Sequence, residues 1–364
     1  MFHEALIDER LVAPHGFIPM RIMCILSALI IFSVMCADAN AAPKNIRLTL
    51  QLTPESLLYQ NLKAFRDQVA EESHGELDIQ IFPSSQLYKP NEVPGAVGSG
   101  LIEMGSSQLS QYDKIVPATD IFAIPFLFSL PGLFEAAIMP GSGVRIALDD
   151  AIRTSTGARV LWWAPIGSEA FGSKGSPLLT PSDIAGKKVR VPGVILSRFI
   201  NECGGTGVIT LGSEQYGVLK RGDVDAVSTG MEIFESRKLW ELTDQLTLLH
   251  HTHQIHVILI NEMFWRSLSG DERRIIQNAA SEAQIRSEKQ DAEADRRGIE
   301  TLKERGMHVT EAGPDDLEQW KICSSPVSEA FLENSGAAGG KVMLEYRRLL
   351  LNLIQSQSTG GRRY

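Results

Sequence analysis

A chain of 364 residues, 43% hydrophobic and 22% charged, can bury a large core and is long enough for two domains. Its net charge of -9 argues against a nucleic-acid-binding protein, because neutralising phosphates requires a concentrated basic surface. An anionic ligand would therefore need a local cationic site.

The N-terminal segment has the features of a secretory signal peptide. Arg21 precedes the apolar run 22–37, and Ala39 and Ala41 have the spacing that a signal peptidase reads. We predict a signal peptide over 1–41, cleaved after Ala41, and a periplasmic protein. An uncleaved anchor is the alternative, but the run is shorter than the roughly 20 apolar residues that a bilayer crossing needs. The polar residues before Met20 suggest the hypothesis that Met20 is the true start.

Strands and helices alternate along the rest of the chain. Alternating apolar residues predict strands, and apolar residues three or four apart predict helices. Because the two types of element follow one another, we predict an α/β fold whose sheet is covered on both faces. The predicted strands include 45–52, 76–82, 158–165 and 253–261, and the predicted helices include 132–152 and 270–306.

The predicted helix 270–306 is long and polar. A helix of that length spans on the order of 50 Å, and its apolar residues are too sparse for a core element. We therefore predict a strut that spans two lobes. The polar tail 351–364 is predicted to be flexible.

Cysteine and histidine spacing gives little support for a metal centre, and no cofactor is predicted. Cys203 and Cys323 could pair in an oxidising compartment, but cysteines so far apart are more often buried small hydrophobes, the interpretation that we favour here. The cluster HHTHQIH, 250–256, points its imidazoles to opposite faces of a strand, so three could converge on an ion only if the backbone turned. A polar lining is the simpler interpretation. Catalytic signatures such as GxSxG and HExxH are missing from the sequence.

The stretch GKKVRVPG, 186–193, carries three cations on a short strand. Alternation places Lys188 and Arg190 on one face. One interpretation is a solvated edge strand, protected from aggregation by its charges and by Pro192. The other is a cation that points inward at an anionic ligand. The stretch alone favours the edge strand and leaves both open.

Seven segments occur in an order that is typical of one protein family. They cover nearly all of residues 45–305 and read LTPESLLYQNLKAF, EESHGELDIQIFPSSQL, GLIEMGSS, DIFAIPFLF, LTPSDIAGKKVRVPG, SEQYGVLKRGDVDAV and LINEMFWRSLSGDERRIIQNAA. In this order they resemble the periplasmic solute-binding proteins of tripartite ATP-independent periplasmic (TRAP) transporters.

The resemblance implies a two-lobed, type II-like periplasmic binding protein fold, in which one long helix braces both lobes. Lobe I would comprise 42–166 and 254–285, and lobe II 167–253 and 286–350. The resemblance further implies that the protein is not an enzyme. It would capture a small organic acid between the lobes and deliver it to integral-membrane TRAP permease subunits. The alternative is a sensor subunit that presents its ligand to a membrane receptor.

In such proteins the arginine of the G-x-K-x-R-V-P pattern forms a two-pronged salt bridge with the ligand carboxylate, and here it is Arg190. The sequence departs from the family where many members have a further arginine, since GSEAFGSKG offers Glu169 and Lys174 instead. If Glu169 lines the cleft, it would suit an amine or hydroxyl group of the ligand better than a second carboxylate. The alternative is that Glu169 is a surface residue. Further lining is expected from Thr53 and Glu55, Ser106, Ser107 and Gln108, Trp163 or Trp162, Lys174, and Ser228 and Thr229.

Overall fold

A computed structural model describes residues 42–360, apart from a few side chains. The predicted signal peptide and the proposed start at Met20 lie outside the described residues, as do 361–364. Within the described part, no helix is both long and apolar enough to cross a membrane.

The sheet of the described residues has ten strands in the order β2-β1-β3-β9-β4-β7-β5-β6, with β8 pairing β4 and β10. β1 runs parallel to β2 and β3, and β5 runs parallel to β6 and β7, whereas β9 and β4 run antiparallel to their neighbours. The strands are β1 (Lys44–Thr49), β2 (Leu77–Phe82), β3 (Met104–Gln108), β4 (Ala158–Ser173), β5 (Lys188–Val191), β6 (Thr206–Ile209), β7 (Ala226–Gly230), β8 (Gln245–Leu248), β9 (His253–Asn261) and β10 (His308–Glu311).

Helices cover both faces, which confirms the predicted α/β class. The predicted helix 132–152 is two helices, because Pro140 and Gly141 interrupt it. The helices are α1 (Leu57–Glu72), α2 (Val93–Gly98), α3 (Leu133–Ile138), α4 (Gly143–Thr156), α5 (Pro181–Ile184), α6 (Val194–Glu202), α7 (Gln215–Arg221), α8 (Met231–Ser236), α9 (Glu262–Ser267), α10 (Gly270–Glu304), α11 (Pro314–Ser324) and α12 (Val327–Gly360), which breaks at Gly336.

Strand β4 joins the two lobes. It pairs with β9 as far as Ser168 and with β7 from Glu169 onward. We call β2, β1, β3, β9 and β4 up to Ser168 the first lobe, and the remaining strands the second lobe. The sequence prediction ended this strand at Pro165, but the strand continues to Ser173, because the proline lies where its register with β9 shifts. The residue boundaries predicted for the lobes remain a prediction.

Helix α10 holds this crossover in place. The Asp291 carboxylate accepts the Gly167 N–H at 2.6 Å, and Asp295, one turn later, accepts the Ser168 N–H at 3.1 Å and its hydroxyl at 2.8 Å. Gly167 has φ +92°, and a Cβ there would lie 2.3 Å from the Asp295 Oδ1. A glycine is therefore required at the point where the chain changes lobes.

The same helix contributes to the cores of both lobes. In the first lobe it buries Ala279, Ala280 and Ala283 against α1 and the sheet, and in the second it buries Leu302. The prediction of a strut is consistent with these contacts. The prediction that α10 would stay outside the core is wrong, because a narrow stripe of small residues lets a polar helix pack closely against a sheet.

One further expectation is corrected. Cys203 at the end of α6 and Cys323 in α11 form a disulfide with a Cα–Cα distance of 5.2 Å, so they are not the separate buried thiols that we favoured. The segment 351–360 belongs to helix α12, and most of its side chains are exposed. The flexibility of the tail 351–364 remains a prediction.

Candidate functional site

Residues that follow strands of both lobes meet in a cleft. Loops beyond the carboxyl ends of parallel strands are the usual place for ligands in α/β sheets. Here the loop after β3 contributes Ser110, the loop after β5 contributes Pro192, and the loop after β6 contributes Thr210. The cleft contains an inner cavity of about 30 Å³ and an outer cavity of about 620 Å³, and Ser110 and Pro192 line both.

Arg190 lies on a central strand and not on an edge. β5 pairs with β6 on one side and with β7 on the other, so its backbone needs no protection from aggregation. The Arg190 side chain is only 2% exposed, whereas Lys187 and Lys188 are exposed at the start of the strand. The interpretation of this stretch as a charged edge strand is therefore wrong for Arg190.

The Arg190 guanidinium is held by uncharged oxygens. Its Nη2 donates to the Thr210 carbonyl at 2.7 Å, its Nη1 to the Ser228 carbonyl at 3.2 Å, and its Nε to the Thr210 hydroxyl at 3.3 Å. A weaker contact of 3.4 Å reaches the Gln215 side chain. Burial lowers the pKa of Arg190 to about 10, although Glu169 and Glu214 oppose this shift. Within the described part of the chain, no carboxylate forms a salt bridge with this buried cation.

Glu169 is a buried carboxyl group of the second lobe whose charge acts on Arg190. Its Oε2 accepts the Ser228 hydroxyl at 2.5 Å, and its Oε1 accepts the Gln254 amide at 2.9 Å. The same amide lies 3.4 Å from the Thr229 hydroxyl. Burial raises the pKa of Glu169, although its hydrogen bonds and the charge of Arg190 lower it. The predicted residues Ser228 and Thr229 thus belong to a buried polar network beside Arg190, and Glu169 is not a surface residue.

The predicted residues of β3 take different positions. Gln108 lines the inner cavity. The Ser106 hydroxyl lies 2.9 Å from the His256 Nδ1, and the His256 Nε2 lies 3.1 Å from the Gln51 amide. Ser107 is 2% exposed, and its hydroxyl makes a long contact of 3.4 Å to the Gln108 carbonyl. Gln108 is therefore the one of the three that reaches the cleft.

Four other residues named in the prediction lie away from both cavities of the cleft. Lys174 is exposed just after β4, roughly 17 Å from Glu169 at 3.3 Å per residue along the strand. Trp163 is fully buried and donates its indole N–H to Asp149 at 2.8 Å, while Trp162 is buried on the opposite face. Thr53 is partly buried in the loop after β1.

The loop after β1 leads to a separate cavity. Glu55 is exposed and lines a space of about 540 Å³ together with Trp240 and Arg305. The Glu232 carboxylate closes one side of this space by accepting the Leu57 N–H of the first lobe at 2.6 Å. Glu55 therefore does not share the cleft with Gln108.

The histidine cluster separates into individual contacts. His251 stacks on Phe171 with ring centres 5.0 Å apart, and His253 stacks on Phe134 at 3.8 Å. Burial, assisted by nearby charges, lowers the pKa of His251 and His256 to about 3 and that of His253 to about 4. These three imidazoles are therefore neutral near pH 7.

Sequence analysis missed Arg237, at the end of helix α8. Its Nη1 is fully buried and has no hydrogen-bond acceptor among the described residues. A Cβ at Gly212 would lie 2.6 Å from this Nη1, so the glycine makes room for the guanidinium. Gly212 follows Thr210, which binds Arg190, and burial together with the charge of Arg190 lowers the pKa of Arg237 to about 9. Nothing in the sequence SRK, 236–238, distinguishes it from a solvated helix end.

Comparison with known proteins identifies the family. The model of the bacterial extracellular solute-binding proteins, family 7, matches residues 49–334. The C4-dicarboxylate-binding periplasmic protein DctP of Rhodobacter capsulatus is 22% identical over 306 residues, which cover 83% of this chain and 91% of that protein.

Solved structures show the same fold. A TRAP periplasmic solute-binding protein from Desulfovibrio salexigens with bound orotic acid is 25% identical, with a TM-score of 0.78 over 84% of this chain and 99% of its own. DctP7, a Bordetella pertussis extracytoplasmic solute receptor that binds pyroglutamic acid, is 20% identical, with a TM-score of 0.78 over 84% of this chain and 99% of its own. The predicted two-lobed fold is confirmed. The chain therefore belongs to family 7 of the bacterial extracellular solute-binding proteins, the TRAP-type receptors that its motif order predicted, which are solute receptors and not enzymes.

Proposed function

We propose that this protein captures a small carboxylic acid outside the cytoplasm, in the cleft between its lobes, and delivers it to a TRAP-type permease. The observation that carries the proposal is Arg190, a fully buried cation beside the cleft whose hydrogen-bond acceptors are all uncharged. Among the relatives whose names state a ligand are proteins that bind C4-dicarboxylates, orotic acid and pyroglutamic acid, and these three ligands are acids.

The chemistry of Arg190 favours a carboxylate. A planar guanidinium matches the two oxygens of a carboxylate, and such charge-assisted pairs strengthen when water is excluded. A ligand carboxylate would replace some of the weaker contacts of Arg190 to uncharged oxygens and would give the buried charge a partner. Ser228 and Thr229, in the adjoining network, and Gln108, across the cleft, are proposed to contact the ligand.

Lobe closure is proposed because residues of both lobes line the inner cavity. The guanidinium of Arg190 is 2% exposed, so a ligand reaches it only after a rearrangement of the cleft. The ligand then contributes contacts to both lobes, and its binding energy favours the closed form. Ser106, Ser107 and Thr53 remain weaker proposals, because Ser106 is already bound to His256 and the other two line neither cavity.

A thermal-shift screen of the secreted protein against organic acids, sugar acids, amino acids and sulfonates tests this function. A ligand at a thousandfold its Kd stabilises the protein by about 4 kcal/mol. Arg190→Ala should weaken binding of every hit at least a hundredfold, about 3 kcal/mol, because a buried charge pair is broken. Arg190→Lys should also lose most of the affinity, since a lysine cannot pair bidentately.

Lys188→Ala is the matched control. It removes a cation of the same strand that is exposed to solvent, so the affinity should stay within about twofold. Wild-type affinity of the Arg190→Ala protein for the same acids would contradict the proposed function.

A further inference from the structure

The inner cavity of the cleft is lined by polar groups that have no partner. Asp120, on the turn 117–123 of the first lobe, lines it together with Thr252 and His253. The Thr252 hydroxyl and the His253 Nδ1 are buried and make no hydrogen bond with any described residue. Buried polar groups are normally paired, so the two unpaired groups at one small cavity require an explanation.

Asp120 is the most unusual of the three. The residue is 7% exposed, and no hydrogen bond or ion pair joins its carboxyl group to any described residue. Burial and the negative charge of Asp113 raise the pKa of Asp120 to about 8. A buried carboxyl group without a partner destabilises a folded protein, so its place at a ligand cleft points to a partner that arrives with the ligand.

The charges around the cavity indicate the chemistry of that partner. The lining contains no lysine or arginine, and the His253 imidazole is neutral. Glu169, on the opposite side, already accepts hydrogen bonds from Ser228 and Gln254. A second carboxylate of the ligand would therefore find a carboxyl group and no cation. A group that donates hydrogen bonds or carries positive charge would find oxygen atoms at Asp120 and Thr252, and a positive charge there would favour the ionised form of Asp120.

The cavity is also close to the proposed anchor. Pro192, two residues after Arg190, lines it, and the Ser228 that donates to Glu169 also accepts the Arg190 Nη1 through its carbonyl. A volume of about 30 Å³ accommodates one small group of the size of an ammonium ion or a water molecule. One ligand could therefore place its carboxylate at Arg190 and a small donor group at Asp120.

We propose that Asp120 is a specificity-determining residue that binds an amino or ring N–H group of the ligand, so the protein selects amine-bearing carboxylic acids over dicarboxylates. The inference rests on the proposed function, since it assumes a carboxylate at Arg190. The amino or ring N–H group of the ligand then lies in the inner cavity, at the end opposite the carboxylate. The unpaired Thr252 hydroxyl and His253 Nδ1 are the further hydrogen-bonding groups of this cavity.

The first test compares acids that differ only in the amine. Each hit of the acid screen is titrated beside its amine-free or aminated counterpart, with glutamate against glutarate and proline against cyclopentanecarboxylate as starting pairs. The amine-bearing member of each binding pair should bind at least tenfold more tightly. This test uses the wild-type protein alone. Equal or tighter binding of the amine-free member overturns the inference.

The second test changes the carboxyl group. Asp120→Asn keeps the shape of the side chain and should weaken amine-bearing acids at least tenfold, with little effect on amine-free acids. Asp150→Asn, which alters an exposed aspartate of the same lobe, controls for net charge and should change neither. Unchanged affinity for amine-bearing acids in Asp120→Asn overturns the inference and leaves the proposed function intact, whereas normal acid binding by Arg190→Ala overturns the proposed function itself.

Discussion

Replacing Cys203 and Cys323 together by alanine removes a crosslink that joins residues 120 positions apart. In the chain-entropy model, closing a loop of that length lowers the entropy of the unfolded chain by about 16 cal/mol/K. This stabilises the folded protein by about 5 kcal/mol at 25 °C. A protein of about 320 ordered residues unfolds with an entropy of roughly 0.7 kcal/mol/K near its midpoint. The variant should therefore melt roughly 7 °C below the wild type.

The assay is thermal unfolding followed by circular dichroism, with the wild type measured in the presence and absence of a phosphine reductant. Reduced wild type should melt near the alanine variant, and the reductant should leave the variant unchanged. Ligand affinity should change little, because α6 and α11 carry the bridge away from the residues proposed to contact the ligand. An oxidised wild type with two free thiols by mass, or equal melting of all samples, would refute the reasoning.

Three further substitutions test individual residues inside and outside the cleft. Arg237→Met should raise the stability of the ligand-free protein by about 1–3 kcal/mol in urea unfolding, because it removes a buried donor that has no acceptor among the described residues. The loss of this positive charge should also weaken acid binding by roughly tenfold. Lower stability together with unchanged affinity would contradict both expectations. Burial raises the pKa of the Glu232 carboxyl group to about 7. Its contribution to folding stability is complete below about pH 4.5, where the group is protonated in the folded and the unfolded protein, and is lost as the pH rises through 7. Glu232→Gln keeps an acceptor for the Leu57 N–H and should remove about 1–3 kcal/mol of the stability loss between pH 5 and 8; an identical pH dependence in both proteins contradicts the assignment. Lys174→Ala should leave the affinity for every acid unchanged in calorimetric titration, and a tenfold loss would return Lys174 to the site.

The elements that local pattern controls were predictable from sequence. Strand β9 has the predicted bounds, and α10 begins at the predicted residue and ends two residues early. Both segments combine an uninterrupted pattern with clear end signals, such as the Ser269 that caps α10. Pro165 misled the prediction of β4, because a proline usually ends a strand and here marks a shift of register.

The features that depend on tertiary contacts were not predictable. The disulfide requires α6 and α11 to meet across 120 residues, and no spacing rule indicates this. Arg237 and Asp120 look like surface charges in sequence, and their burial is set by elements from both lobes. The resemblance to a family singled out Arg190, which is buried, and its role as ligand anchor remains a proposal. It also suggested Lys174 and Trp163, which lie away from both cavities of the cleft.

The decisive measurement is the structure of the protein bound to its tightest acid. We expect one ligand carboxylate to pair bidentately with Arg190, both lobes to contact the ligand, and Ser228 and Gln108 to lie within hydrogen-bond distance of it. A ligand bound in the cavity lined by Glu55 and Trp240, or a carboxylate held elsewhere while Arg190 keeps its present contacts, would contradict the account.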